Sequence, residues 1–125
     1  TALNTDSYTH YSFFARVEDL IRFRWESRVR QAIDSFNSSY VLGVVGNKVW
    51  VTTVDIWLTP EGHFHSSHIM KESGIKRFDL AVTMAFREAA MFSNPPKEFL
   101  EDDGFIHLKY SFNVNFRPSA LVYQQ

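Results

Sequence analysis

Cysteine is absent from the 125 residues. That excludes disulfides, cysteine-ligated zinc and cysteine nucleophiles, and it leaves the redox compartment open. Long apolar runs are missing too. The most apolar stretch, Tyr40–Val51, is broken by Gly43, Gly46, Asn47 and Lys48, so nothing approaches the roughly 18–20 residues that cross a bilayer. Charge of one sign is lacking: 13 Lys and Arg stand against 14 Asp and Glu, with a formal net charge of -1. A nucleic-acid binder needs a basic footprint and a membrane-surface helix a polybasic face, and neither is written here. The five glycines are scattered, and no glycine loop is available to cradle a phosphate.

Aromatic side chains are abundant, at 16% with 12 Phe, which argues against disorder. The length suits one domain, residues 1–125, able to bury a real core. We expect residues 1–10 as a lead-in and 117–125 as a tail. The chain opens on Thr1, and we read it as a fragment of a longer protein.

The spacing of Phe13, Val17, Leu20, Ile21, Trp25, Val29, Ile33 and Phe36 predicts a helix from Phe13 to Phe36, apolar on one face. Glu18–Arg22 and Glu26–Arg30 are i,i+4 pairs on its wet side. Ser12 or Thr9 is the expected cap, and Asn37-Ser38-Ser39 the stop. Lys48–Leu58 predicts a strand with Trp50, Val54, Ile56 and Leu58 on the core parity and Trp57 facing out. The turn Thr59-Pro60-Glu61-Gly62 returns the chain as a second strand, His63–Lys71. Phe64 and Ile69 share a face only if this strand is bulged, and we place the bulge near Ser66-Ser67. A second helix is predicted over Arg77–Met91, ended by Asn94-Pro95-Pro96. After Asp102-Asp103-Gly104, read as a turn, Ile106, Leu108, Tyr110, Phe112, Val114 and Phe116 alternate with polar residues as the last strand. The fold class is therefore α+β: a two-layer sandwich with two helices on one face of a three-stranded antiparallel sheet. Its order is helix, strand, strand, helix, strand. The last strand is expected beside the first, giving spatial order second, first, third, with its outer edge free.

Few residue clusters point to chemistry. His63 and His65, two apart on a strand, would face one side about 6.5–7 Å apart, but two ligands fall short of a closed zinc site. Solvent-facing histidines beside a turn account for them. Ser66 and Ser67 lie near histidines without a nucleophile elbow or an orienting acid. We expect no catalysis, no metal and no cofactor.

Several short stretches, in order, resemble the C-terminal domain of TonB-family energy transducers. They are Pro60-Glu61-Gly62-His63-Phe64, Glu72-Ser73-Gly74, Phe78-Asp79-x-Ala81, Ala85-Phe86-Arg87-x-Ala89, Phe92-x-Asn94-Pro95-Pro96 and Asp103-Gly104-x-Ile106, closing on the alternating strand that ends at Phe116. Leu3-Asn4-Thr5, Tyr11–Phe14 and Trp25 look like the variant of this domain carried by some longer envelope proteins. The resemblance implies a periplasmic domain of a bacterial protein anchored in the inner membrane by a segment outside this chain. It implies a partner strand captured at the edge of Phe105–Phe116, with Phe105, His107, Lys109, Ser111, Asn113 and Asn115 as the partner-binding residues. The implied partners are an outer-membrane or periplasmic protein at that edge and motor subunits of the inner membrane through the anchoring region, with no nucleic acid. The alternative is a structural module of a motility or secretion complex that makes self-contacts, a homodimer included. Two departures stand out. A Gln-Pro-x-Tyr-Pro-type segment is not found before the long helix, and the chain continues past the last strand as Arg117-Pro118-Ser119-Ala120-Leu121-Val122-Tyr123, a tail long enough to lie along the free edge.

Overall fold

Two periodicities, one helical and one of strands, build the two layers. In the computed structural model, which describes residues 5–117, the order is α1 (Thr5–Ser35), α2 (Ser38–Gly43), β1 (Trp50–Leu58), β2 (Phe64–Lys71), α3 (Lys76–Ala89) and β3 (Ile106–Val114). Single 3-10 turns occupy Val45–Asn47 and Lys97–Phe99. The three strands form one antiparallel sheet, ordered β2-β1-β3. The α+β sandwich and the placing of the last strand beside the first are as the sequence predicts.

The differences are local. α1 begins at Thr5 rather than Phe13, so Ser12 and Thr9 lie inside it and the first turn is not capped by either. Its extra turns dock at the side: the His10 ring lies 4.8 Å from that of Phe99, and its Nε2 is 3.7 Å from Glu98. α2 has no counterpart in the sequence reading. There Asn37 does not simply stop a helix; its side chain accepts the Tyr40 N–H and starts the next one, as an N-cap does. β2 carries two bulges, because its register against β1 skips His65 and Met70. The expected single bulge at Ser66-Ser67 is thus displaced by one residue and joined by a second. The reason given for a bulge holds, since Phe64 and Ile69 both pack on the core.

The core fills the space between the sheet and the α1/α3 layer. Phe13, Val17 and Ile21 from α1 meet Val82, Ala85 and Phe86 from α3 over Val54, Ile56, Leu58 and Leu108. A continuation toward the other end packs Val29 and Ile33 with Trp50, Phe78, Ala81 and Val114. Trp50 donates its indole N–H to the Val45 carbonyl at 2.9 Å, which satisfies the one polar atom its burial would otherwise strand. Asp79, in the first turn of α3, accepts from the Thr52 hydroxyl at 2.6 Å and the Ser73 N–H at 3.0 Å. This carboxylate therefore fastens the helix start to β1, and it sits where the helix dipole favours negative charge.

Candidate functional site

A three-stranded sheet has two edges, and their backbones differ. β2 is bulged twice, which interrupts the regular ladder that an incoming strand needs. β3 pairs with β1 without a break from Trp50↔Val114 to Leu58↔Ile106, so its far side repeats evenly. The start of that side is occupied. Leu100 bridges to Ile106, and the Glu101 N–H donates to the Phe105 carbonyl at 2.9 Å. Backbone groups alternate sides along a strand. With Phe105 turned outward, Lys109, Ser111 and Asn113 carry the outward N–H and C=O groups, while Tyr110 and Phe112 bond to β1. Beyond Ile106 no described residue pairs with this outer side.

The six residues of the expected site separate into two groups. Lys109, Ser111, Asn113 and Asn115 are exposed. Phe105 precedes the strand, half-buried, with its ring 5.3 Å from Trp57 and 4.3 Å from His65. His107 is on the polar parity yet not wet: its side chain is only 8% exposed. Trp57, expected to face out, is half-buried on the same open sheet face, with the rings of His68 at 4.2 Å and His107 at 4.7 Å. Aromatic cover therefore closes this end of the face. His63 and His65 are not brought together; His63 bridges to Met91 outside the sheet. The histidines that approach are His65 and His68, both hydrogen-bonded to the Ser66 hydroxyl, at 3.0 and 2.9 Å.

His107 has a carboxylate against each of its ring nitrogens. Its Nδ1 is 3.0 Å from Asp55, itself buried in β1, and its Nε2 is 2.7 Å from Asp103 and 3.7 Å from Glu101. Asp103 also accepts the Phe105 N–H at 2.9 Å. The carboxylates thus tie the turn before β3 to the sheet. Ligand atoms of Glu101, Asp103 and His107 lie within 4.8 Å of one another, a spacing a metal would accept, although the hydrogen bonds already satisfy the ring. Sequence reasoning missed this cluster. Its available signal was Asp55, a lone acid inside an otherwise apolar and hydroxyl-bearing strand.

Burial lowers the His107 pKa, but the hydrogen bonds that the protonated ring donates to Asp55 and Asp103, with the charges of Asp55 and Glu101, outweigh it, so the net shift is upward. A histidine whose folded pKa exceeds its unfolded value of about 6.5 stabilises the fold fully below that value. The contribution is lost as pH rises through the folded pKa. The urea midpoint of the wild type should therefore exceed that of His107→Gln most at pH 6, and the gap should narrow by pH 8.5. A gap that stays constant across this range would show that the imidazolium charge plays no part.

On its helix side the β3 edge is flanked by a groove. One stretch of about 390 Å³ runs between Glu26–Asp34 of α1 and Asn113–Phe116. A second, of about 230 Å³, runs between Glu18–Glu26 and Tyr110–Phe112. The Tyr110 hydroxyl is buried beneath it, and desolvation with the nearby Glu18 charge raises its pKa, which keeps it protonated.

The comparisons with known proteins agree with this architecture. The family model described as TonB C terminal matches residues 13–109, the greater part of the chain. The chain belongs to the TonB C-terminal family. No curated protein and no solved structure matched. The matched span of this TonB C-terminal domain ends at Lys109, part-way along β3. Domains of this family are periplasmic. Among the described residues no helix is long and apolar enough to cross a membrane.

The motifs that carry the TonB resemblance do structural work. Gly62 has φ +102, and a Cβ there would lie 2.1 Å from the Phe92 carbonyl oxygen and 3.3 Å from Pro95. Phe92 donates its N–H to the Gly62 carbonyl at 2.8 Å. The Pro-x-Gly turn and the Phe-x-x-Pro-Pro segment are therefore two halves of one contact, which seats the chain leaving α3 against the β1–β2 turn.

Proposed function

We propose that this domain is the periplasmic interaction module of a TonB-like energy transducer. It takes up an extended segment of a partner protein at the β3 edge and passes force to it. The observation that supports this most directly is the unbroken β3 backbone with outward groups at Lys109, Ser111 and Asn113. Such an edge captures a peptide by adding it as a fourth strand. Main-chain hydrogen bonds supply the affinity and side chains the selectivity. Pairing starts at Lys109 and runs to Asn115; Phe105 and His107 border it at the end that Leu100 already covers. TonB-like domains are interaction and energy-transduction domains rather than enzymes. A strand pair pulled along its length loads its hydrogen bonds together, which suits force transfer. The partner would be an outer-membrane or periplasmic protein, and inner-membrane motor subunits would act through the anchoring region.

The test is photocrosslinking in the native cell from a probe at Lys109, with a second at Asn113, and identification of the adducts by mass spectrometry. Adducts to an outer-membrane or periplasmic protein are expected. Adducts only to further copies of the chain would replace this reading with self-assembly.

A further inference from the structure

α1 carries Glu18, Arg22, Glu26, Arg30 and Asp34 at successive i,i+4 positions, all exposed. They form one row of alternating sign, and all five line the groove beside β3. The row and the edge run in the same direction. Glu18, Arg22 and Glu26 flank Tyr110–Phe112, and Glu26, Arg30 and Asp34 flank Asn113–Phe116. Successive rungs of the helix rise about 6.0 Å. Side chains on one face of a strand repeat every 6.6–6.8 Å or so. A strand added to β3 would therefore meet one rung with every second residue, and long side chains absorb the small mismatch.

The charges are available. Arg22 makes exposed contacts to Glu18 at 3.8 Å and to Asp19 at 3.7 Å, of the kind that rearranges at little cost. Glu26, Arg30 and Asp34 have no ion pair among the described residues. Between row and edge the floor is apolar, built from Trp25, Val29, Phe112 and Val114.

We propose that the α1 row selects the partner segment, which carries alternating basic and acidic side chains at every second position on its helix-facing side. Basic residues stand opposite Glu18, Glu26 and Asp34, and acidic ones opposite Arg22 and Arg30. This rests on strand pairing at β3 and adds the pattern the strand must have. Its neighbours on the opposite face remain unconstrained by α1.

The test uses the 125-residue chain and two synthetic peptides of equal composition. One is alternating, Lys-Val-Glu-Val-Lys-Val-Glu-Val-Lys; the other is segregated, Lys-Val-Lys-Val-Lys-Val-Glu-Val-Glu. The alternating peptide should bind about tenfold more tightly at low ionic strength, from several exposed pairs of modest individual worth. The preference should shrink as salt screens it. The double variant Arg22→Glu with Glu26→Arg keeps the composition but breaks the alternation, and it should erase the preference while its circular dichroism stays native. Equal binding of both peptides, abolished for both by Ser111→Pro, would overturn the charge row and leave pairing at β3 standing. Binding of neither peptide would also overturn it, and the native-cell crosslinks would then judge strand pairing separately.

Discussion

Replacing Phe86 by Ala is expected to cost the domain about 3–5 kcal/mol, the range for deleting a buried aromatic ring. Phe86 is 0% exposed, in the last turn of α3. Its ring meets those of Phe92 at 5.6 Å, Tyr110 at 5.9 Å and Phe112 at 6.1 Å. These neighbours belong to β3 and to the segment leaving α3, so none can close the gap without moving an element the sheet holds. The loss is a large share of the 5–15 kcal/mol or so that separates folded from unfolded chains. It should lower Tm by roughly 10–20 °C for a domain of this size. Leu80, six residues earlier on the same helix, is 55% exposed, and Leu80→Ala should stay within about 0.5 kcal/mol of wild type. Thermal unfolding of the two variants followed by circular dichroism decides it. Equal losses would mean that the Phe86 site collapses freely and that the two layers are not held by this ring cluster.

The same contrast separates what local sequence dictates from what only the packed structure does. Strict alternation from Ile106 to Val114 and the stripe of α3 concern neighbours in sequence, and hydrophobic period alone decides such elements. The early start of α1 was not legible because Thr5–Ser12 has little apolar periodicity, and the contact of His10 with Phe99 that docks this end is recorded by no local pattern. α2 is six residues long with none of them buried, so it leaves no stripe to detect. The His107 cluster depends on the cross-strand register that puts Trp57 opposite His107. That register fixes which side of the sheet Asp55 shares with His107, and Asp55 reads as an ordinary strand acid until β1 and β3 are paired. The positions of the charged residues of α1 were legible, although of the two expected pairs only Glu18–Arg22 forms among the described residues, at 3.8 Å. Their use beside the β3 edge was not, because the helix and the strand are far apart in the chain.

Proline at position 111 is expected to abolish partner capture while leaving the domain folded. Ser111 is exposed, and its N–H points away from β1 by the alternation that starts at Phe105. Proline there removes an outward donor and puts its ring where a partner carbonyl would approach; the ladder to β1 keeps every hydrogen bond, which is how edge strands tolerate proline. Within the sheet, only the 3.2 Å contact between the hydroxyls of Ser111 and Thr53 is lost. One residue further on, the same change has the opposite consequence. Phe112 faces β1 with its N–H and the core with its ring, so Phe112→Pro breaks a central hydrogen bond and a packed contact together and should unfold the domain. Recovery of the crosslinked partner should fall at least about tenfold for Ser111→Pro with a native circular dichroism spectrum, as the loss of both a hydrogen bond and access requires. Capture that persists with the folded Ser111→Pro protein would mean the partner binds elsewhere than on the β3 backbone. Unfolding of Ser111→Pro alongside an intact Phe112→Pro would invert the assignment of the outward groups, and Tyr110 and Phe112 would then be the residues that face the partner.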